Sequence, residues 1–426
     1  MAPLGVRPFS RLLSSYTLNE LGDSIGIVAL AILVFDRTDD IVATSAFFIV
    51  GKFLPALLAP ALTARLDQTP LRRSLPAIYL FETLVFAALA LIADGRFVLA
   101  LVLLLGLLDG TLAVTARGLT RGAVGAVLEP AGLLKAGNAL MNIGFAVATV
   151  GGSALGGLLV SVFGLPTALL VDALSFLVIA IALAATRGLP EIEVTHEPWR
   201  RRLSDGLRFI RTHRPIRLLL GGQGVALVLF TLVIPIEVVY AKQSLGTTDA
   251  GFGVLLASWG VGIVVGSLIY LLVKARSATT LIVLSTAAVG AGYLGMASAG
   301  TLAVACAFSV LGGAGNGVQW IAVVTAIQEV TPRDYQARVT GLLESLGAGM
   351  PGVGYLLGGT LAGLGSPRTA YATAGIGVLV LVLAAFIWRE RIATTRAGSA
   401  APAADIGLPD SLSPARTYER SAAGER

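Results

Sequence analysis

Long apolar stretches alternate with short polar breaks along nearly the whole chain. A helix needs about 20 apolar residues to cross a bilayer core of roughly 30 Å. Twelve such stretches can be laid out, near 12–35, 41–65, 74–94, 97–118, 137–163, 166–187, 217–240, 250–273, 278–298, 301–328, 339–364 and 367–389. The pattern predicts an all-α membrane protein with twelve transmembrane helices.

The second half of the pattern repeats the first. Gly152-Ser153-Ala154-Leu155-Gly156-Gly157 returns as Gly354-Tyr355-Leu356-Leu357-Gly358-Gly359, 202 residues later, and Pro130 and Pro332 keep the same offset. Two copied six-helix bundles are expected, 1–187 and 215–391, joined by a linker over 188–214 and followed by a tail over 392–426. Paired halves in a membrane are the architecture of alternating access. Gly152, Gly156, Gly157, Gly354, Gly358 and Gly359 are expected to let helices approach closely.

Composition agrees: 55% hydrophobic and 13% charged residues leave too little polar surface to cover a soluble core. Charge then orients the chain, because basic loops stay in the cytoplasm. With both termini inside, only Arg37, Arg96, Lys242 and Arg368 of the 31 Lys and Arg residues fall in outer loops. The net charge of +6 is therefore a topology signal, and no nucleic-acid binding is read from it. A monomeric multi-pass protein of the cell membrane, with the lipid bilayer and a small-molecule substrate as its partners, is expected. The linker sets Arg200, Arg201, Arg202, Arg208, Arg211 and Arg214 around Trp199, Leu203, Leu207 and Ile210, an amphipathic pattern suited to the headgroup layer, with a partner-protein site as the alternative. The tail, rich in Ala, Arg, Ser and Pro, reads as disordered.

Enzymatic and metal chemistry find no support. The histidines, His196 and His213, lie in the linker, Cys306 is the single cysteine, and no cluster has metal-ligand spacing. Gly51-Lys52 is no phosphate loop, because Phe53 follows where Ser or Thr is needed. No cofactor is expected, and energy would come from a gradient.

Particular strings resemble the major facilitator superfamily, and within it an efflux branch of macrolide-efflux and enterobactin-exporter-like proteins. They are Leu21-Gly22-Asp23, Lys135-Ala136-Gly137-Asn138-Ala139-Leu140, Leu155-Gly156-Gly157, Val171-Asp172-Ala173-Leu174-Ser175-Phe176, Val239-Tyr240-Ala241-Lys242 and Arg338-Val339-Thr340-Gly341-Leu342. The resemblance covers about residues 12 to 390. It implies the two-bundle fold and rocking of one bundle against the other. It also implies a cytoplasmic gate after helix 2, for which Asp67, Arg72 and Arg73 are candidates, with Glu344 as a partner near the inner end of helix 11. The family's glycine stands as Thr63, and the proline of the helix 5 motif as Ser153. The arginine that many drug–proton antiporters carry in helix 4 is not found around Leu108-Asp109-Gly110, where the middle of that helix is expected.

Ionisable residues at membrane depth are expensive and default to functional candidates. Asp23 in helix 1, Lys52 in helix 2 and Asp109 in helix 4 are placed there. Three roles are open to them: proton coupling, a static ion pair, or recognition of a charged substrate. Gln223 and Phe230 in helix 7, with Asn316, Gln319 and Trp320 in helix 10, are candidates for the substrate cavity. The expected activity is export of a hydrophobic or amphipathic molecule, such as a drug, macrolide-like compound or siderophore, by proton antiport. An uncoupled facilitator or importer, and a transport-dead scaffold or sensor, are the alternatives.

Overall fold

A computed structural model describes residues 2–66, 69–128, 130–186, 208, 210–273 and 276–399. The helices, in chain order, are α1 Arg7–Thr38, α2 over 41–66, α3 Leu71–Asp94, α4 Leu99–Leu128, α5 Leu134–Phe163 and α6 Leu165–Ala184. They continue as α7 Arg214–Ser244, α8 Asp249–Val273, α9 Ala278–Ser298, α10 Leu302–Val330, α11 Arg333–Leu364 and α12 Pro367–Ser399. Among the described residues eleven helices are long and apolar enough to cross a membrane. The other is α11, whose many glycines hold its hydropathy down although it runs 32 residues between α2 and α7. Most of the arginine-rich linker and the tail beyond Ser399 lie outside the described residues, as does Asp67.

Several helices outrun their apolar stretches. α4 reaches Leu128 where hydropathy ended it at 118, and α12 reaches Ser399. Hydropathy marks the part bathed in lipid, whereas Ala, Arg, Leu and Glu continue a helix into the headgroups at little cost.

Turn chemistry sets the hairpins. Asp39 closes α1 in the left-handed region at φ 48°, and Asp40 caps α2 by accepting the Val42 amide at 2.7 Å. α2 contains one π turn, Ile49–Phe53, in which the Leu54 amide reaches back to Ile49. Pro55 follows and has no amide to continue the normal ladder. α7 is interrupted in the same way around Pro235: a 3-10 turn, Ile234–Ile236, precedes Glu237–Val239 and a second π turn, Tyr240–Ser244.

Lipid is as apolar as leucine, so helices here associate through close van der Waals fit. The glycine repeat performs this twice. On α5, a Cβ at Gly152 would meet the Leu21 carbonyl oxygen at 2.6 Å, and one at Gly156 would meet Ile25 Cα at 3.1 Å, both on α1. On α11, a Cβ at Gly354 would meet the Val228 carbonyl oxygen at 2.5 Å, and Gly358 lies against the Leu232 carbonyl, both on α7. The last glycine of each set crosses to the other half. A Cβ at Gly157 would lie 2.8 Å from the Gly253 Cα of α8, and Gly359 faces Ser45 of α2.

The seam between the first six helices and the last six is packed from its outer end to about mid-depth. Gly157 and Gly253 meet near the outer ends of α5 and α8, and Val150 meets Gly260 some 10 Å further in. On the other side Phe48 packs on Tyr355 with ring centroids 6.2 Å apart, and Gly352 abuts Phe53. Lys242 joins the outer ends of three helices through Asp36 of α1 and Asp249 of α8, the latter at 2.7 Å. Arg368 donates to the carbonyls of Ala297 and Ser244, fastening α12 to the outer ends of α9 and α7.

Candidate functional site

α1 carries Glu20 and Asp23 one turn apart, both buried, and α4 supplies the cation between them. Arg117 Nε lies 2.7 Å from Glu20 Oε1, and an Nη donates to Asp23 Oδ2 at 2.8 Å. Asn19 adds a donation to the same Asp23 oxygen at 3.3 Å. Arg117 stands within a turn of the midpoint of α4 because that helix extends ten residues past its apolar stretch. An arginine therefore does stand near the middle of α4, eight positions beyond Asp109. No signal short of the true helix length would have centred it.

Beside this network a cavity of about 20 Å³, room for about one water, is lined by Asp23, Ile27, Phe47, Lys52, Phe86 and Asp109 among others. Lys52 stands in the π turn of α2 and lines this cavity together with Asp109. A Cβ at Gly110 would strike the Gly51 carbonyl and Pro55, so two bare backbones let α2 and α4 touch at this level. Asp23, Lys52 and Asp109 are thus brought to one cavity, but the ion pair of Asp23 is with Arg117. Lys52 makes no ion pair among the described residues, and Asp109 Oδ1 has no hydrogen-bond partner there.

Two further acids lie behind α1. Asp172 of α6, fully buried, sits against the bare backbone of Gly22 and Gly26 and accepts from Ser175 at 3.3 Å. Glu82 of α3 is fully buried with neither oxygen hydrogen-bonded among the described residues. Glu20, Asp23, Glu82, Asp109 and Asp172 thus gather in the first six helices around Arg117, while Lys52, itself exposed, borders the cavity. Carboxylates outnumber cations here, and charge left unpaired at this depth is costly.

In the second half Gln319 of α10 donates to Gln223 of α7 at 2.6 Å, both 2% exposed, and Gln319 Oε1 has no partner among the described residues. Phe230 is buried, and its carbonyl accepts from Tyr293 at 2.8 Å. Asn316 is half-buried and Trp320 exposed on the same helix, so the five candidates do not share one lining. Of the gate candidates, Arg72 and Arg73 are exposed on the first turn of α3 without an ion pair among the described residues. Asp67 and the Glu344 side chain lie outside what is described.

Helices in this number, with a charge network at membrane depth and a seam closed on one side, define a membrane transporter of the major facilitator type and not an enzyme. Residues 1–411 match the family model described as transmembrane secretion effector, and the chain belongs to that family. No functionally curated protein matches the sequence. Among solved structures, a point mutant of the nucleoside transporter NupG is 12% identical with a TM-score of 0.73, over 89% of this chain and 99% of its own. A bacterial homologue of the iron transporter ferroportin, in an inward-facing state, is 15% identical with a TM-score of 0.69, over 90% of this chain and 98% of its own. A bacterial homologue of the lysosomal transporter Spinster, inward-facing and occupied, is 12% identical with a TM-score of 0.68, over 90% and 97%. At these identities the likeness is one of fold.

Proposed function

We propose that the protein is a secondary exporter of hydrophobic or amphipathic small molecules in the cell membrane, working as a monomer by proton antiport with alternating access. The two bundles, 1–187 and 215–391, rock about the seam, and the closed outer side with its packing to mid-depth supports an inward-facing state. The observation that carries the reading is Arg117 shared between Glu20 and Asp23, with Asp23 also lining a small cavity that Asp109 and Lys52 line.

A proton delivered to Asp23 weakens its hold on Arg117, because the charge-assisted hydrogen bond becomes a neutral one. The guanidinium then turns to Glu20 alone, loosening α1 from α4 at the level where the bundles meet. Asp109 and Lys52, with room between them for water, provide the route by which the proton arrives. A cavity of about 20 Å³ admits water and no drug-sized ligand, so we assign the substrate site to the second-half wall, where Gln319 Oε1, buried and without a partner among the described residues, would accept from a substrate hydroxyl or amide once that wall opens.

The test is proton release from purified protein in liposomes on addition of lipophilic cations, macrolides and siderophores. Saturable release that vanishes in Asp23→Asn supports antiport. Transport that persists when the proton gradient is collapsed transfers the protein to the facilitator reading.

A further inference from the structure

Glu237 is an ionisable residue at membrane depth that the charge network does not use. It lies at the break in α7, just after Pro235 and the 3-10 turn Ile234–Ile236, about 10 Å inside the outer end of the helix at Ser244. This segment packs on α1, α2 and α11, so it forms part of the closed outer seam. The carboxylate is half-buried, and among the described residues it has no hydrogen-bond or ion-pair partner.

Its surroundings are aromatic and uncharged. The titratable groups within reach of its charge are hydroxyls: Tyr293 of α9, Tyr355 of α11 and Tyr371 of α12. Tyr240 lies one turn on, its ring 4.5 Å from that of Tyr371, and α2 contributes Phe48 against Tyr355. The Tyr293 and Tyr240 hydroxyls are spent on the carbonyls of Phe230 and Met296, while the buried Tyr371 hydroxyl has no partner among the described residues. The charges at the outer ends of α1 and α8, Asp36 and Asp249, are held by Lys242. A carboxylate so placed has no counter-charge, and ionised it would be expensive at this depth. Broken helices in transporters are also where coupling ions are held.

We propose that Glu237 is a second proton-binding site, loaded from the external side, and that the outer seam shuts only when it is loaded. Opening the seam hydrates the carboxyl; its O–H bond then ionises, the proton passes to external water, and the carboxylate keeps its charge in a wetted cleft. Reloading permits closure. The proposal rests on the transporter reading above, but its tests need no substrate.

The first test is infrared difference spectroscopy of the full chain in lipid nanodiscs, titrated from acid to alkaline and repeated in sodium and in potassium. The protonated-carboxyl C=O band of Glu237 is expected to be lost in Glu237→Gln and displaced in Glu237→Asp, with no dependence on sodium. A spectrum unchanged in Glu237→Gln overturns the proposal, and a band that follows sodium and not pH reassigns the site to a metal cation. The second test measures the distance between spin labels at Val42→Cys and Leu364→Cys, in a Cys306→Ser background. Both are exposed positions at the outer ends of α2 and α11. Wild type is expected to open as the medium becomes alkaline, and Glu237→Gln to stay shut across the titration. A variant that opens with the wild-type pH dependence refutes the gating role even if proton antiport at Asp23 stands.

Discussion

The helix pair α1–α4 and its counterpart α7–α10 are built on the same plan with opposite chemistry. Arg117 on α4 stands 202 residues before Gln319 on α10, the offset of the glycine repeat. Arg117 reaches Glu20 and Asp23 on α1; Gln319 reaches Gln223 on α7. The shared geometry places a long polar side chain of the fourth helix against the first in each half. Only the first half made that contact ionisable. Asp109 and Lys52 of the first half likewise correspond at this offset to Leu311 and Val254. The first bundle thus holds ionisable groups where the second holds a neutral amide pair, the difference on which the proposed division into proton site and substrate site rests.

The sharpest way to break the comparison is Arg117→Ala. It strands two buried carboxylates, and a stability loss of about 3–5 kcal/mol is expected by analogy with broken buried ion pairs, together with loss of transport. Thermal unfolding in nanodiscs reads the first and a liposome assay the second. The triple variant Glu20→Gln, Asp23→Asn, Arg117→Gln makes the first half resemble the second. It is expected to recover most of the stability but none of the proton release; a triple variant that still releases protons on substrate addition would remove Asp23 from the coupling role.

The glycine repeat yields a smaller, paired prediction. Gly358→Ala forces α11 off α7 within one half and is expected to cost about 1–3 kcal/mol of stability, because the obstacle is backbone. Gly157→Ala presses on Gly253 across the seam, so much of the strain is relieved by opening. Its expected signature is a shift towards the outward-open state, seen as wider label distances between α2 and α11, with a smaller change in melting temperature.

Gln319→Ala, leaving Gln223 without its partner, is expected to cost about 1–2 kcal/mol and to weaken substrate binding while proton uptake at Asp23 is retained. The smallest effect belongs to Lys242→Gln. Its two carboxylate partners are partly exposed, so the loss is expected to be under about 1 kcal/mol, a few-fold change in the ratio of open to closed seam that fades at high salt. Label distances at low and high ionic strength check both parts.

The legibility of the molecule followed the physics of its solvent. A bilayer demands continuous apolar runs, so the helices and their orientation stand out in composition and charge, and the glycine duplication stands out because close backbone approach admits no other residue. Asp23, Lys52 and Asp109 were visible as charges in apolar runs, and they do meet at one cavity. Arg117 was not, since it falls at the very inner end of the apolar stretch 97–118 and counted with the cytoplasmic charge. Glu237 lay within the apolar stretch 217–240 but close to its outer end, and only the break in the helix around Pro235 singles it out.

The sequence by itself determined that this chain lives in a membrane, how many times it crosses, which side its basic loops occupy, and that its halves are copies. Those properties depend on local transfer free energies and on counting. Only the tertiary structure decided which charges are partners. Pairing at membrane depth depends on the rotation and register of helices nearly a hundred residues apart, and these are settled by glycine contacts and by the π turns of α2 and α7, which shift every later side chain around the helix axis.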